Sequence, residues 1–217
     1  MKRGVLIGSY FTHFDRTWPE KGLARHHPYI RSRKEQAQCA LEAAMPALEL
    51  LILELPYVFG SMPGRVPLWA PLIDYVRSPL PLFYSKGGTN AMAVKHVGEA
   101  VAGAAERGRG GERYVIGDEN ITWVDLLNRL SRLLGRRKRV ITLPTALVRE
   151  MMRAVRLYHR LHGKEAGLDP VEYTKIQTMN TFFDPTWSCE ALGYGRGGLD
   201  EALRDTVRAC LPHRRGL

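Results

Sequence analysis

The sequence predicts an α/β fold: a partial, doubly wound, Rossmann-like parallel sheet joined to a smaller mixed α/β C-terminal lobe. Three observations carry this. Short apolar runs bounded by glycine, proline or charge occur at residues 5–9, 50–53 and 114–116, the pattern of strands buried on both faces. Between the first two lies a segment with Ile30, Ala37, Ala40, Leu41, Ala44 and Leu48 at helical spacing. Strand, long helix and strand form a crossover between parallel neighbours.

The elements follow in order. Val5, Leu6 and Ile7 fill the first strand and Ser9 ends it. Residues 12–28, with Trp18-Pro19 and His26-His27-Pro28, read as a polar loop. Pro28 precedes a helix from about residue 29 to 47, and the second strand follows. Residues 56–66, rich in glycine and proline, read as a loop. A short helix over 67–77 turns Trp69, Leu72, Ile73 and Val76 inward. Short strands at 82–84 and 91–94 flank Gly87-Gly88, and an alanine-rich helix over 96–107 stops at the glycines after it. Thr122 caps a helix over 123–134, with Asp125 favourable in its first turn. A strand at 140–143 precedes a helix opened by Pro144 and running to about 162. Two more helices are expected over 170–178 and 199–210.

Composition narrows the class. The 217 residues are 45% hydrophobic and 25% charged, enough to bury a core and ordinary for a globular protein. Three dispersed cysteines, Cys39, Cys189 and Cys210, form no CxxC pair and suit reduced thiols in the cytoplasm. The opening apolar run is too short for a signal peptide. The net charge of +10 comes mainly from arginine. It is read as genomic arginine bias, not as a nucleic-acid footprint.

Chemistry concentrates around Tyr29. A phenol titrates near ~10 and is a poor base at neutral pH; a nearby cation favours the phenolate. Residues i and i+4 share a helix face, so Arg33 lies beside Tyr29, while Lys34 is turned about 100° away. Ser9, at the end of the preceding strand, can donate a hydrogen bond to the same substrate oxygen. The three could polarise a carbonyl for hydride attack or take a proton from an alcohol.

These residues resemble a known family. Tyr29-Ile30-Arg31-Ser32-Arg33 resembles the Tyr-x-x-x-Lys helix of the extended short-chain dehydrogenases/reductases, the NAD-dependent epimerase/dehydratase group. Leu53-Glu54-Leu55-Pro56-Tyr57-Val58-Phe59-Gly60 resembles that family's Leu-Arg-Pro-x-x-Val-Tyr/Phe-Gly segment beside the nicotinamide. The segment from Val94 to Ala100 is similar to its Val-x-x-x-Asp-x-Ala helix start. The segments Gly111 to Gly117, Asn120 to Trp123 and Leu192-Gly193-Tyr194 are similar to its later elements. The resemblance covers nearly the whole chain but only the C-terminal part of the family.

The resemblance implies Ser9, Tyr29 and Arg33 as catalytic residues, and Tyr29, Arg33, Leu55, Pro56 and Val58 beside NAD or NADP. It implies a small carbonyl or alcohol substrate. Residues 1–60 would be a remnant of the dinucleotide-binding domain. Residues 61–217 would be mainly a substrate lobe, with one strand near 112–117 returning to the sheet. Three departures matter. Arg33 stands in the lysine's place, and its planar fork does not act as one point charge. Glu54-Leu55 replaces Arg-Pro and puts an acid near a polyanionic cofactor. No strand and phosphate-cradling glycine loop precede Ser9, as in a reading frame begun late, a split gene or a degraded enzyme.

Three expectations follow. The Arg33 guanidinium should point at the Tyr29 hydroxyl. The chain alone should bind NAD(P) weakly or not at all, because the helix N-terminus and glycine loop are the usual pyrophosphate anchor. The first strand, an apolar edge without its neighbour and with uncovered sheet faces, should make the isolated chain aggregate, dimerise through this edge or need a complementing N-terminal fragment.

Other readings remain open: a non-catalytic remnant or regulatory protein of the same fold, or a basic protein on a membrane or nucleic acid. The helix over 145–162 sets Leu147, Met151, Val155, Tyr158 and Leu161 against four arginines. It could lie on an anionic membrane, although such helices more commonly cover a lobe. Gly193-x-Gly195-x-x-Gly198 matches GxGxxG but follows a helix, so it reads as a turn. His159 and His162 have no further ligands near them in sequence, so no metal is expected.

Overall fold

The computed structural model describes residues 2–44 and 46–211. β1 (Arg3–Ser9) begins the main sheet. Residues 12–28, expected as a polar loop, are instead largely helical: α1 (Tyr10–Thr17), a short 3-10 turn (Pro19–Lys21) and α2 (Leu23–His26). Ser9 caps α1, its Oγ accepting from Phe11 N at 3.4 Å. Tyr10, Phe11 and Phe14 are buried with Leu23, Ile30 and Ile176, and Phe14 stacks on Trp18 with centroids 4.3 Å apart. A helix this short is marginal by itself; aromatic burial holds it.

α3 (Pro28–Ala44) follows, with Ile30, Ala37 and Ala44 buried. Its expected continuation to 47 meets Met45, outside the described residues, and then a turn at 46–47. β2 (Glu49–Leu55) runs parallel to β1, from Arg3 opposite Glu49 to Ser9 opposite Leu55. The loop expected at 56–66 contains β3 (Tyr57–Phe59), and α4 (Ala70–Arg77) then buries Ile73 and Val76. β4 (Leu82–Ser85), β5 (Gly88–Ala93), α5 (Val94–Arg107) and β6 (Arg113–Val115) come next. β6 pairs parallel with β2, giving the order β1-β2-β6.

Alternation along β2 decides what each face meets. Leu51 and Leu53 pack with Ala100 and Ala104 of α5. Glu54 points the other way and meets Arg16 of α1. With α3 also packed on β1 and β2, helices lie on both faces of this sheet, while Val5 and Leu6 of β1 stay only half-buried. What stays open is the outer edge of β1, which has no strand beside it among the described residues. Ile7 on it is 42% exposed. Arg3 opens that strand with a charge, paired to Glu49 at 3.0 Å.

The lobe has two small sheets. β3 runs parallel to β5, whose six residues are all buried. β5 also pairs with β7 (Glu119–Thr122) and, through Gly88 and Thr89, with β9 (Asn180–Thr181). β4 runs parallel to β8 (Val140–Leu143). α6 (Trp123–Leu133) is capped as expected, with Asp125 N donating to Thr122 Oγ1 at 3.1 Å. α7 (Thr145–Leu161) has no fully buried residue and packs mainly on α8 (Pro170–Gln177). The short α9 (Thr186–Leu192) precedes α10 (Leu199–Cys210). Gly193, Gly197 and Gly198 have φ of 62°, 89° and 71°. They form the turn between two helices that the GxGxxG match was read as.

Candidate active site

Ser9, Tyr29, Leu55, Pro56 and Val58, far apart in the chain, line one cleft of about 720 Å³. The topology explains it. Parallel β1 and β2 end together at Ser9 and Leu55, and α3 begins beside these strand ends. The lining also takes in Tyr57, Trp69 and the loop carrying Met62 and Arg65. Arg65 is the one charged residue in the lining among the described residues.

Ser9 is buried, and its Oγ–H remains available because the cap uses the oxygen as an acceptor. Tyr29 sits half-buried at the start of α3. Its backbone N–H donates to Gly167 O at 2.8 Å. Asp169 N donates to Nδ1 of the buried His27 at 3.2 Å. The segment before α8 therefore fixes where the Tyr29 helix begins.

Arg33 differs from expectation. Its guanidinium lies over the Tyr29 ring, 5.4 Å from the centroid, and Nη1 donates to Gln36 Oε1 at 2.9 Å. It is not among the residues lining the cleft. Lys34 turns away, to Asp15 Oδ2 at 2.8 Å. Burial pushes the Asp15 carboxyl up, but hydrogen bonds from Lys34 and Ala24 N outweigh it and hold the group below its ordinary value.

Glu54 does not present an acid to the cleft. It is fully buried, with Arg16 Nη1 and Nη2 each donating to one of its oxygens at 2.7 Å. Thr12 Oγ1 also bonds it, and Arg113 stands at 3.9 Å. The charge that departs from the family pattern is neutralised behind the site.

Tyr10, Tyr57 and Trp69 were missed as site residues. Their signals were present: Tyr10, Phe14 and Trp18 recur at fours, and Tyr57 follows the Pro56 that ends the second strand. Burial pushes the Tyr57 hydroxyl well up, and it shares a 2.6 Å hydrogen bond with Tyr173. Among the described residues, no cluster of three or more His, Cys, Asp or Glu could hold a metal, and no helix is long and apolar enough to cross a membrane.

His27 gives the fold a pH dependence. Burial holds its pKa below the ordinary value, and its Nδ1 must stay unprotonated to accept from Asp169 N. A depressed histidine takes its proton first in the unfolded state. The stability it contributes is therefore present above about pH 6.5 and is lost as pH falls from there through the lower folded-state value. The melting temperature should drop between about pH 7.5 and about pH 5.5. His27→Asn, which keeps an acceptor and loses the titration, should show a smaller drop. An equal drop in both proteins would show that His27 is not responsible.

No family model matches the chain. It is 24% identical over 184 residues to a protein of Synechocystis sp. (strain ATCC 27184 / PCC 6803 / Kazusa) named "Putative dihydroflavonol 4-reductase". That match takes in 82% of the chain and 53% of the relative, so the chain spans about half the relative's length. The crystal structure of gox2253 superposes with a TM-score of 0.75 at 21% identity, over 96% of the chain and 66% of that structure. PA4631, a nucleoside-diphosphate-sugar epimerase from Pseudomonas aeruginosa, gives 0.66 at 22% identity, over 94% and 65%. The chain shares their fold. A dTDP-glucose 4,6-dehydratase from Bacillus anthracis, solved with NAD, gives 0.55 at 16% identity, over 84% and 51%. Two of these three structures are thus described as a nucleotide-sugar epimerase and a dehydratase with NAD, and the chain matches part of each.

Proposed function

We propose that this chain supplies the acid/base and substrate part of an NAD(P)-dependent oxidoreductase or epimerase-like protein acting on a carbonyl or alcohol. The observation that carries the reading is the gathering of Ser9, Tyr29, Leu55, Pro56 and Val58 around one cleft. The apolar Leu55–Val58 wall suits the flat face of a nicotinamide, and Arg65 is one cation for a phosphate. When bound, the nicotinamide supplies or accepts the hydride. Ser9 Oγ–H donates to the substrate oxygen. The Tyr29 hydroxyl gives that oxygen a proton in reduction and takes it back in oxidation. Arg33 steadies the ring from its face. The open edge of β1 would take a strand from a complementing nucleotide-binding part or a second copy.

Saturation-transfer NMR with NADH on the full chain tests the cofactor end. Weak binding is expected, with saturation on the nicotinamide protons that Val58→Asp removes. Binding at micromolar affinity or tighter, or saturation centred on the adenine, would overturn this placement. In NAD(P)H-linked ketone reduction, Tyr29→Phe should cost roughly 100-fold in turnover; full activity would remove Tyr29 from the chemistry. A second reading, a non-catalytic binding protein of the same fold, is favoured by Arg33 lying over the ring with no hydrogen bond to its hydroxyl among the described residues.

A further inference from the structure

A second hollow, of about 410 Å³, adjoins the Tyr29 cleft, and Tyr57 and Trp69 line both. Its volume lies in the range of roughly 300–1,000 Å³ that holds small ligands. Its floor includes Tyr84, Ser85 and Trp123, and its roof is Val148, Met151 and Met152 of α7. No lysine, arginine, histidine, aspartate or glutamate is in the lining among the described residues.

The polar atoms in this hollow are nearly all spent inside the protein. Tyr57 and Tyr173 bond each other, and Trp69 Nε1 donates to Val58 O. Trp123 Nε1 donates to Gln177 O, and Gln177 Nε2 to Tyr84 OH. Thr174 Oγ1 donates to Pro170 O. Burial pushes the Tyr57 and Tyr84 hydroxyls up, so both stay neutral. Two lining atoms are exceptions among the described residues, Oε1 of the half-buried Gln177 and Oγ of Ser85, and Ser85 is the buried one. It is 6% exposed, and its Oγ has no hydrogen-bond partner among the described residues. A buried hydroxyl left without a partner is costly, and a ligand group that meets it removes that cost.

We propose that this hollow binds the body of an uncharged, largely aromatic or alicyclic substrate, anchored by one carbonyl or hydroxyl oxygen on Ser85 Oγ, and that it excludes a nucleoside diphosphate. This names the substrate class of the Tyr29 site and rests on that reading. A diphosphate entering here would lose its water and meet no cation. A flat apolar ring system would stack among Tyr57, Trp69 and Trp123 while the methionines of α7 adapt to its outline.

The test uses the full chain without nicotinamide nucleotide and reads tryptophan fluorescence, since Trp69 and Trp123 line the hollow. The probes are 2-acetylnaphthalene, a neutral aromatic ketone, and UDP-glucose. The ketone should quench saturably, and UDP-glucose should bind at least about tenfold more weakly. Ser85→Ala should weaken the ketone by about 3- to 10-fold. Met152→Glu, on the half-exposed roof, should weaken it further without unfolding the chain. Equal or tighter binding of UDP-glucose, or no saturable quenching by the ketone, would overturn the proposal; an unchanged affinity in Ser85→Ala would overturn the anchor. A chain that binds the ketone but transfers no hydride would sink the oxidoreductase reading alone. One that turns over a nucleotide sugar and ignores the ketone would sink only this inference.

Discussion

Arg16→Met should lower the unfolding free energy by about 3 kcal/mol or more, because it strands a buried carboxylate. Glu54 has no exposure, and both its oxygens accept from the Arg16 guanidinium at 2.7 Å. With Arg16 gone, Thr12 remains, and Arg113 at 3.9 Å is too far for a hydrogen bond. The pair itself need not stabilise the fold, since taking two charges out of water can cost as much as their attraction returns. The double variant Arg16→Met/Glu54→Met should therefore recover most of the loss, leaving Arg113 to find water at the surface. Urea unfolding of the three proteins separates these cases. A single variant within about 1 kcal/mol of the parent would mean that Glu54 is solvated or otherwise satisfied.

Gly103→Ala should destabilise by about 3 kcal/mol, although alanine is favoured over glycine in a helix by about 1 kcal/mol. The two effects oppose, and distance decides. A Cβ at position 103 would lie near Leu192 O, well inside van der Waals contact and against backbone. Arg107 also bonds that carbonyl, so the end of α9 cannot slide away without losing a second contact. Gly98 on the same helix has nothing within 4 Å of a built Cβ. Gly98→Ala is the control and should raise stability by a few tenths to about 1 kcal/mol. Thermal melts of both variants check this; a stabilised Gly103→Ala would show that α5 and α9 pack less closely than described.

That Ser9 and Tyr29 share a cleft could be expected from the family resemblance but not from chain order, because α1, a 3-10 turn and α2 lie between the strand end and the Tyr29 helix. The position of Arg33 was legible only in part. Spacing places i+4 beside i, but helical side chains lean toward the N-terminus, and here the guanidinium lies across the ring. Glu54 was misread because its partner sits in α1, a helix hidden from the sequence by Thr12, His13, Asp15 and Arg16 between its aromatics. β7 and β9 escaped because four residues and two residues carry no period. Ser85 could not be recognised at all, since an unpartnered hydroxyl exists only once the lobe has closed around it.

The stitch between His27 and Asp169 spans 142 positions, and that between Tyr57 and Tyr173 spans 116. During synthesis, β1, α3 and β2 leave the ribosome long before either partner exists. The sheet can form early from near neighbours, while the entropy of closing such large loops delays the walls of the cleft. The walls of the Tyr29 cleft therefore acquire their shape after the sheet does. Lesions in the segment before α8 should then act at a distance, yielding chains with a formed sheet and a Tyr29 that never settles.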